Sequence, residues 1–197
     1  MKKILLALGF SVIATSAQAI TMGNLQLNTY GSAMFNGTNN IASTNTGMFG
    51  QLYTTQDTIL NFTFLGKEAA NINYLLLNGS AATGSATNTV KINDSYSLIA
   101  NKGVVDFGFT GNGGTSASNT TNPQDNILFL ENVNAIKDAT GNPFAFLVGF
   151  DDGGSHDADF NDYVIGINEI SAVPVPTSAW LFGSALFGFA CFGRKSI

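Results

Sequence analysis

Residues 150–163, Phe-Asp-Asp-Gly-Gly-Ser-His-Asp-Ala-Asp-Phe-Asn-Asp-Tyr, concentrate the side chains that could do chemistry. Five of the thirteen acids in the chain, Asp151, Asp152, Asp157, Asp159 and Asp162, fall within these few turns of sequence, although only 11% of all residues are charged. Crowded carboxylates raise the cost of ionising one another, so the cluster is unfavourable unless it is solvated, protonated or bridged by a cation. Bridging is the favoured reading. With Asn161 added, the donors are all oxygen, which suits calcium rather than zinc or copper. Calcium takes six to eight oxygens at about 2.3–2.6 Å, so two ligands of one ion lie within roughly 5 Å, whereas alternate residues of an extended strand are about 6.6 Å apart. The chain must therefore curl here, and Gly153-Gly154 permits that by admitting positive φ. Asp157-x-Asp159-x-Asn161 echoes the first half of an EF-hand loop. Asp162 stands where the turn glycine belongs, however, and the twelfth position is Asn168, so an EF-hand as such is excluded. The bland alternative is a hydrated acidic turn whose Asn161 and Asp162 hydrogen-bond backbone amides. His156, the only histidine, is expected to face solvent.

Enzyme chemistry has little to stand on. A glycosidase would need two carboxylates flanking a bond, but these acids are all local, and Asp57, Asp94, Asp106 and Glu131 are isolated in sequence. No Gly-x-Ser-x-Gly or phosphate loop is present. A calcium-dependent carbohydrate-binding module is the serious alternative to a non-catalytic protein. It would stack sugars on tyrosines such as Tyr30, Tyr53, Tyr74, Tyr96 or Tyr163, all of which could equally be core or strand residues.

The elements that must position the loop read as β. Charge-poor sequence rich in Asn, Thr, Ser and Gly carries short apolar-polar alternations at 60–64, 105–109, 144–148 and 163–167, each expected to bury one face. Weaker strand candidates are 25–33, 49–54, 72–77, 89–99 and 126–133, while 36–47, 79–88 and 111–124 read as long exposed loops and 132–140 as a short helical turn. The expected fold is all-β, a two-sheet antiparallel sandwich or jelly roll. Asn36, Asn61, Asn78 and Asn119 fit the glycosylation sequon, which so Asn- and Thr-rich a chain produces by chance.

Both ends of the chain read as targeting segments. Lys2-Lys3, an apolar stretch and Ala17-Gln18-Ala19 form a secretory signal with its small-x-small cleavage site, so residues 1–19 are a signal peptide. Residues 173–197 begin with Pro174 and Pro176, continue as an uncharged apolar run, and close on Arg194 and Lys195, the order of a transmembrane helix with its basic end cytoplasmic. The domain between, 20–172, keeps only Lys67, Lys91, Lys102 and Lys137; four positive charges less thirteen negative leave −9. Such a surface repels nucleic acid. The single cysteine, Cys191, lies in the tail, so the domain forms no internal disulfide.

Two resemblances bear on these segments. Pro174-Val175-Pro176, Trp180-Leu181-Phe182-Gly183-Ser184 and Arg194-Lys195 resemble the PEP-CTERM sorting signal of Gram-negative bacteria, with Val175 in place of the name-giving Glu. That resemblance implies transient inner-membrane anchoring, processing by an exosortase-type enzyme, and residence at the cell surface or in an exopolysaccharide-rich matrix. Phe150-Asp151-Asp152 followed by Asp157-Ala-Asp159-Phe160-Asn161-Asp162 resembles the F-E-D…D-x-D-Y-N-D motif of a bacterial extracellular domain-of-unknown-function family. Asp151 replaces its Glu and Phe160 its Tyr. The family is found in exported proteins, sometimes beside calcium-binding repeats, and brings no established enzymatic activity.

Overall fold

The computed structural model describes residues 24–38, 41, 46–121, 126–130, 136–153 and 159–170. They belong to one compact unit, Met22–Ala172. The signal-peptide residues Ala17 and Ala19 and the tail residues Pro174, Pro176, Trp180, Arg194 and Lys195 lie outside the described residues. Among the described residues there is no helix, and so none long and apolar enough to cross a membrane.

Twelve strands follow in order: β1 (Leu25–Met34), β2 (Thr46–Thr54), β3 (Thr58–Gly66), β4 (Asn73–Leu77), β5 (Ser80–Ala81), β6 (Ser95–Ala100), β7 (Gly103–Val104), β8 (Phe107–Gly111), β9 (Ser116–Ser118), β10 (Ile127–Leu130), β11 (Phe146–Phe150) and β12 (Tyr163–Ile170). The large sheet runs β1-β2-β10-β11-β12-β3-β6, with β7 also paired to β2, and the small one runs β5-β4-β8-β9. All pairs are antiparallel. The protein is therefore all-β with two antiparallel sheets, as the alternations predict.

Period-two patterning explains the packing. Leu60, Phe62 and Phe64 of β3, Leu75 of β4, Phe107 and Phe109 of β8, and Tyr163, Ile165 and Ile167 of β12 meet in one buried cluster that joins the two sheets. Phe109 stacks on Phe150 with ring centroids 5.0 Å apart, and Phe64 meets Tyr163 edge-on at the same distance. Asn119 clamps the sheets: its side-chain amide donates to the carbonyls of Leu52 and Val105 and accepts from the Leu52 amide, each at 2.7 Å. With its nitrogen so engaged and the residue buried, Asn119 is a structural asparagine rather than a glycan acceptor.

The central strands depart from the one-buried-face expectation. Leu128, Leu130, Leu147 and Val164 point to the opposite face from the main core and are covered by Phe35, Ile41, Phe144 and Phe160 in a second cluster. Strands buried on both sides lose their alternation and read as apolar runs. The 36–47 segment is thus not an empty loop, since it carries buried Ile41 and a bridge between Thr38 and Ile41. Segments 79–88 and 111–124 likewise contribute β5 and β9 and bury Ser85, Thr87, Ala117 and Asn119. Phe144 sits before β11 because its ring covers Gly166, leaving no room there for a Cβ. Residues 89–94 form a turn, closed by Thr89 and Val90 amides on Ala86 and by Lys91 N donating to Asp94 Oδ2. Of the expected helical turn at 132–140, residues 132–135 lie outside the described residues; in the rest, Asp138 Oδ1 caps a tight loop by accepting from the amides of Thr140 and Asn142.

Candidate metal centre

The acidic segment leaves β11 at Phe150 and re-enters the sheet as β12 at Tyr163, so Asp151 and Asp152 face Asp159, Asn161 and Asp162 across the mouth of one hairpin. Asp157 and His156 lie outside the described residues. Each flank of the mouth is pinned. Asn126 brackets Asp151, accepting its amide and donating Nδ2 to its carbonyl, each at 3.0 Å. Asp151 Oδ1 accepts from Gly153 N at 2.7 Å, and Gly153 adopts φ 68°, the curl that the glycine pair predicts. Asp152 reaches the small sheet, where Asn73 Nδ2 donates to its Oδ2 at 2.9 Å. On the far flank Phe160 takes φ 58°, rare for a side-chain-bearing residue, and its buried ring meets Phe49 edge-on at 5.5 Å. Holding such a conformation costs of order 1 kcal/mol or more, which the buried ring offsets.

Packing brings the carboxylates together. Asp162 Oδ2 accepts from the Asp152 amide at 2.7 Å. Burial first, and then the nearby charges of Asp152, Asp159 and Asp151, push the Asp162 carboxyl up to about 7, against the opposing effect of that amide. Four of the five predicted acids therefore share one electrostatic neighbourhood. Asn161, between Asp159 and Asp162 in sequence, is 3% exposed, with Nδ2 donating to Gly37 O at 2.8 Å and Oδ1 buried without a hydrogen-bond partner among the described residues. A buried carbonyl oxygen left unpaired costs about 1–3 kcal/mol, and a cation would satisfy it. Asn73 Oδ1 is also buried and unpartnered among the described residues, and it lies against Gly111, where any Cβ would collide with it.

Among the described residues no three His, Cys, Asp or Glu side chains already converge as a metal-holding group. Asp151 Oδ1 and Asp152 Oδ2 are turned to backbone and side-chain donors. Asp159 Oδ1 and Asp162 Oδ2 likewise accept backbone amides, of Asn161 at 3.4 Å and of Asp152 at 2.7 Å, so a hard cation at Asp159, Asn161 and Asp162 would share these carboxylate oxygens with those donors. Sequence reasoning missed the supports Asn73, Asn126, Gly37 and Gly111. Asn73 alone carried a signal, because it occupies the inward phase of β4 with Leu75, where a polar residue needs a buried partner.

No protein-family model, curated protein or solved structure matches the chain.

Proposed function

We propose that the chain is a non-catalytic, exported surface or extracellular-matrix protein whose acidic loop is closed by a structural calcium ion. The observation that supports the calcium assignment is Asn161 Oδ1, buried and unpaired in the same segment as carboxylates that raise one another's cost of ionisation. Asp159, Asn161 and Asp162 would hold the ion, Asp157 would add a donor from the same loop, and Asp151 and Asp152 would complete the charge balance. The ion would supply positive charge and fixed coordination, tying the β11–β12 hairpin to the Gly37 segment and, through Asp152 and Asn73, to the small sheet.

Export rests on the sequence of the two ends. The signal peptide delivers the domain, the PEP-CTERM-like tail holds it at the inner membrane, and an exosortase-type enzyme releases it toward a polysaccharide-rich layer. We assign the wiring to the jelly-roll class because the chain passes between the sheets repeatedly, from β3 to β4, β5 to β6, β7 to β8 and β9 to β10. A sugar-binding role has less support, since Phe150, Phe160 and Tyr163, the aromatics that flank the acids, are buried and offer no stacking face.

Fractionating cells that produce the full chain tests the export reading. Processed protein should appear at the surface or in the matrix, and replacing Arg194 and Lys195 should trap or misroute it. Unprocessed chain recovered from the cytosol would refute it.

A further inference from the structure

Four exposed apolar side chains line one end of the large sheet: Ile59 is 38% exposed, Ile99 73%, Val104 43% and Ile170 41%. Ile59, Ile99 and Val104 each sit next to a residue of the main core, Leu60, Leu98 and Val105, so period two turns them to the outer face. Pairing sets the belt side by side. Ile170 lies opposite Ile59 and Ile59 opposite Ile99, one residue in from the β2–β3 turn, and across that turn Val104 lies opposite partly buried Tyr53. Further along the same face β3 and β6 carry Asn61, Thr63, Ser95 and Ser97 instead, so the apolar belt is confined to the rim.

Both ends of the domain leave from that rim. β12 ends at Ile170, and Asn24, just before β1, donates Nδ2 to Glu169 Oε1 at 3.0 Å while its carbonyl accepts from Thr55 N at 2.9 Å. In sequence, Asn24 closely follows the N-terminal apolar segment and Ile170 closely precedes the C-terminal one. Charge is placed the other way. Glu68, Asp94 and the acidic mouth lie at the opposite ends of β3, β6 and β12, roughly 24 Å off along the eight residues of β12 at about 3.4 Å each. Of the acids nearer the rim, Asp57, Asp138 and Glu169 accept hydrogen bonds from the protein, and exposed Asp106 is matched in charge by exposed Lys102.

We propose that this rim rests on the lipid surface that holds the tail, with Ile59, Ile99, Val104 and Ile170 set among the headgroups and the acidic mouth turned away. This rests on the reading of the C-terminal segment as a membrane anchor. Lipid is the occupant because both chain ends run from this rim into apolar segments, and because a domain of −9 can approach anionic lipid only with its acids held beyond a Debye length of roughly 8 Å. Little further affinity is needed, since the anchor already holds the rim at high local concentration against the bilayer.

The test reconstitutes the full chain with Cys191→Ser, which removes the only thiol, into vesicles of phosphatidylethanolamine and phosphatidylglycerol whose acyl chains carry bromine just below the headgroups. A fluorophore on Ile99→Cys should lose emission to the bromine, whereas the same fluorophore on Ser95→Cys, further along the same face of β6, should keep it. Val104→Asp should abolish most of the loss at position 99 by setting a carboxylate in the belt. Trp180, the only tryptophan, belongs to the tail, so its own emission in the unlabelled chain reports the anchor separately. Trp180 quenched with position 99 unaffected, equal quenching at 95 and 99, or quenching at 99 indifferent to Val104→Asp would each overturn the lipid contact and leave the anchor reading standing. Unquenched Trp180 would sink both.

Discussion

Replacing Asn161 with Ala separates the hydrogen-bonding role of this residue from its proposed role as a ligand. Without metal, the change removes the bond from Nδ2 to Gly37 O and leaves a buried carbonyl unpaired, at about 1–3 kcal/mol. It also removes the unpartnered Oδ1, recovering a similar amount. The two nearly cancel, so in chelator the variant should lie within about 1 kcal/mol of the parent chain. With calcium the result changes. At a thousandfold excess over Kd a bound ion stabilises by about 4 kcal/mol, and a tenfold to hundredfold weaker site loses about 1.4–2.7 kcal/mol of that. For a domain of this size that is roughly 3–11 °C in melting midpoint. Calorimetric melting of both chains, in chelator and in millimolar calcium, gives the comparison. Equal differences in the two buffers would refute the ligand role, and a loss above about 3 kcal/mol in chelator would show that Oδ1 was paired all along.

Further outcomes follow from other contacts. Gly149→Ala should destabilise the fold by about 1–3 kcal/mol, read by denaturant melts, because the added Cβ would overlap the Phe160 carbonyl. Asn119→Leu should cost about 2 kcal/mol or more, since Leu52 N and Val105 O lose their partner while Leu52 O keeps only the Val105 amide. The Asp162 carboxyl titrates near 7 in the fold, above its unfolded value, so the metal-free fold holds the extra proton. Its contribution is fully present below the ordinary carboxylate range and is lost as pH rises through about 7. Melts in chelator from pH 4 to 8 should show that decline, and Asp162→Asn should flatten it.

Strands were legible where an apolar-polar pattern or a flanking apolar run marked them: β1, β2, β3 and β4, and also β12, which is buried on both faces, fall within a few residues of their sequence-read bounds. Legibility failed where the two faces carry the same chemistry or where a side chain serves another layer. Val105 and Phe144 sit in phase with strands they do not join; Val105 donates its amide to Leu52 O and Phe144 to Ile136 O, so each belongs to a connection. The loops at 36–47 and 79–88 looked empty because their buried residues are few and scattered, and tertiary contact rather than local pattern buries Ile41, Ser85 and Thr87. In the acidic loop, type and spacing gave away the carboxylates and the curl at Gly153. The asparagines that hold them, 73 and 126, come from distant positions and show only when the sheets are assembled.

The central claim is that a calcium ion closes the β11–β12 mouth. Titrating calcium into the chelator-stripped full chain by calorimetry measures it directly. One ion should bind at about micromolar affinity, with the Asp159→Asn and Asp162→Asn variants each weakening it by tenfold or more. No heat of binding up to millimolar calcium, or binding unchanged in both variants, would contradict the account.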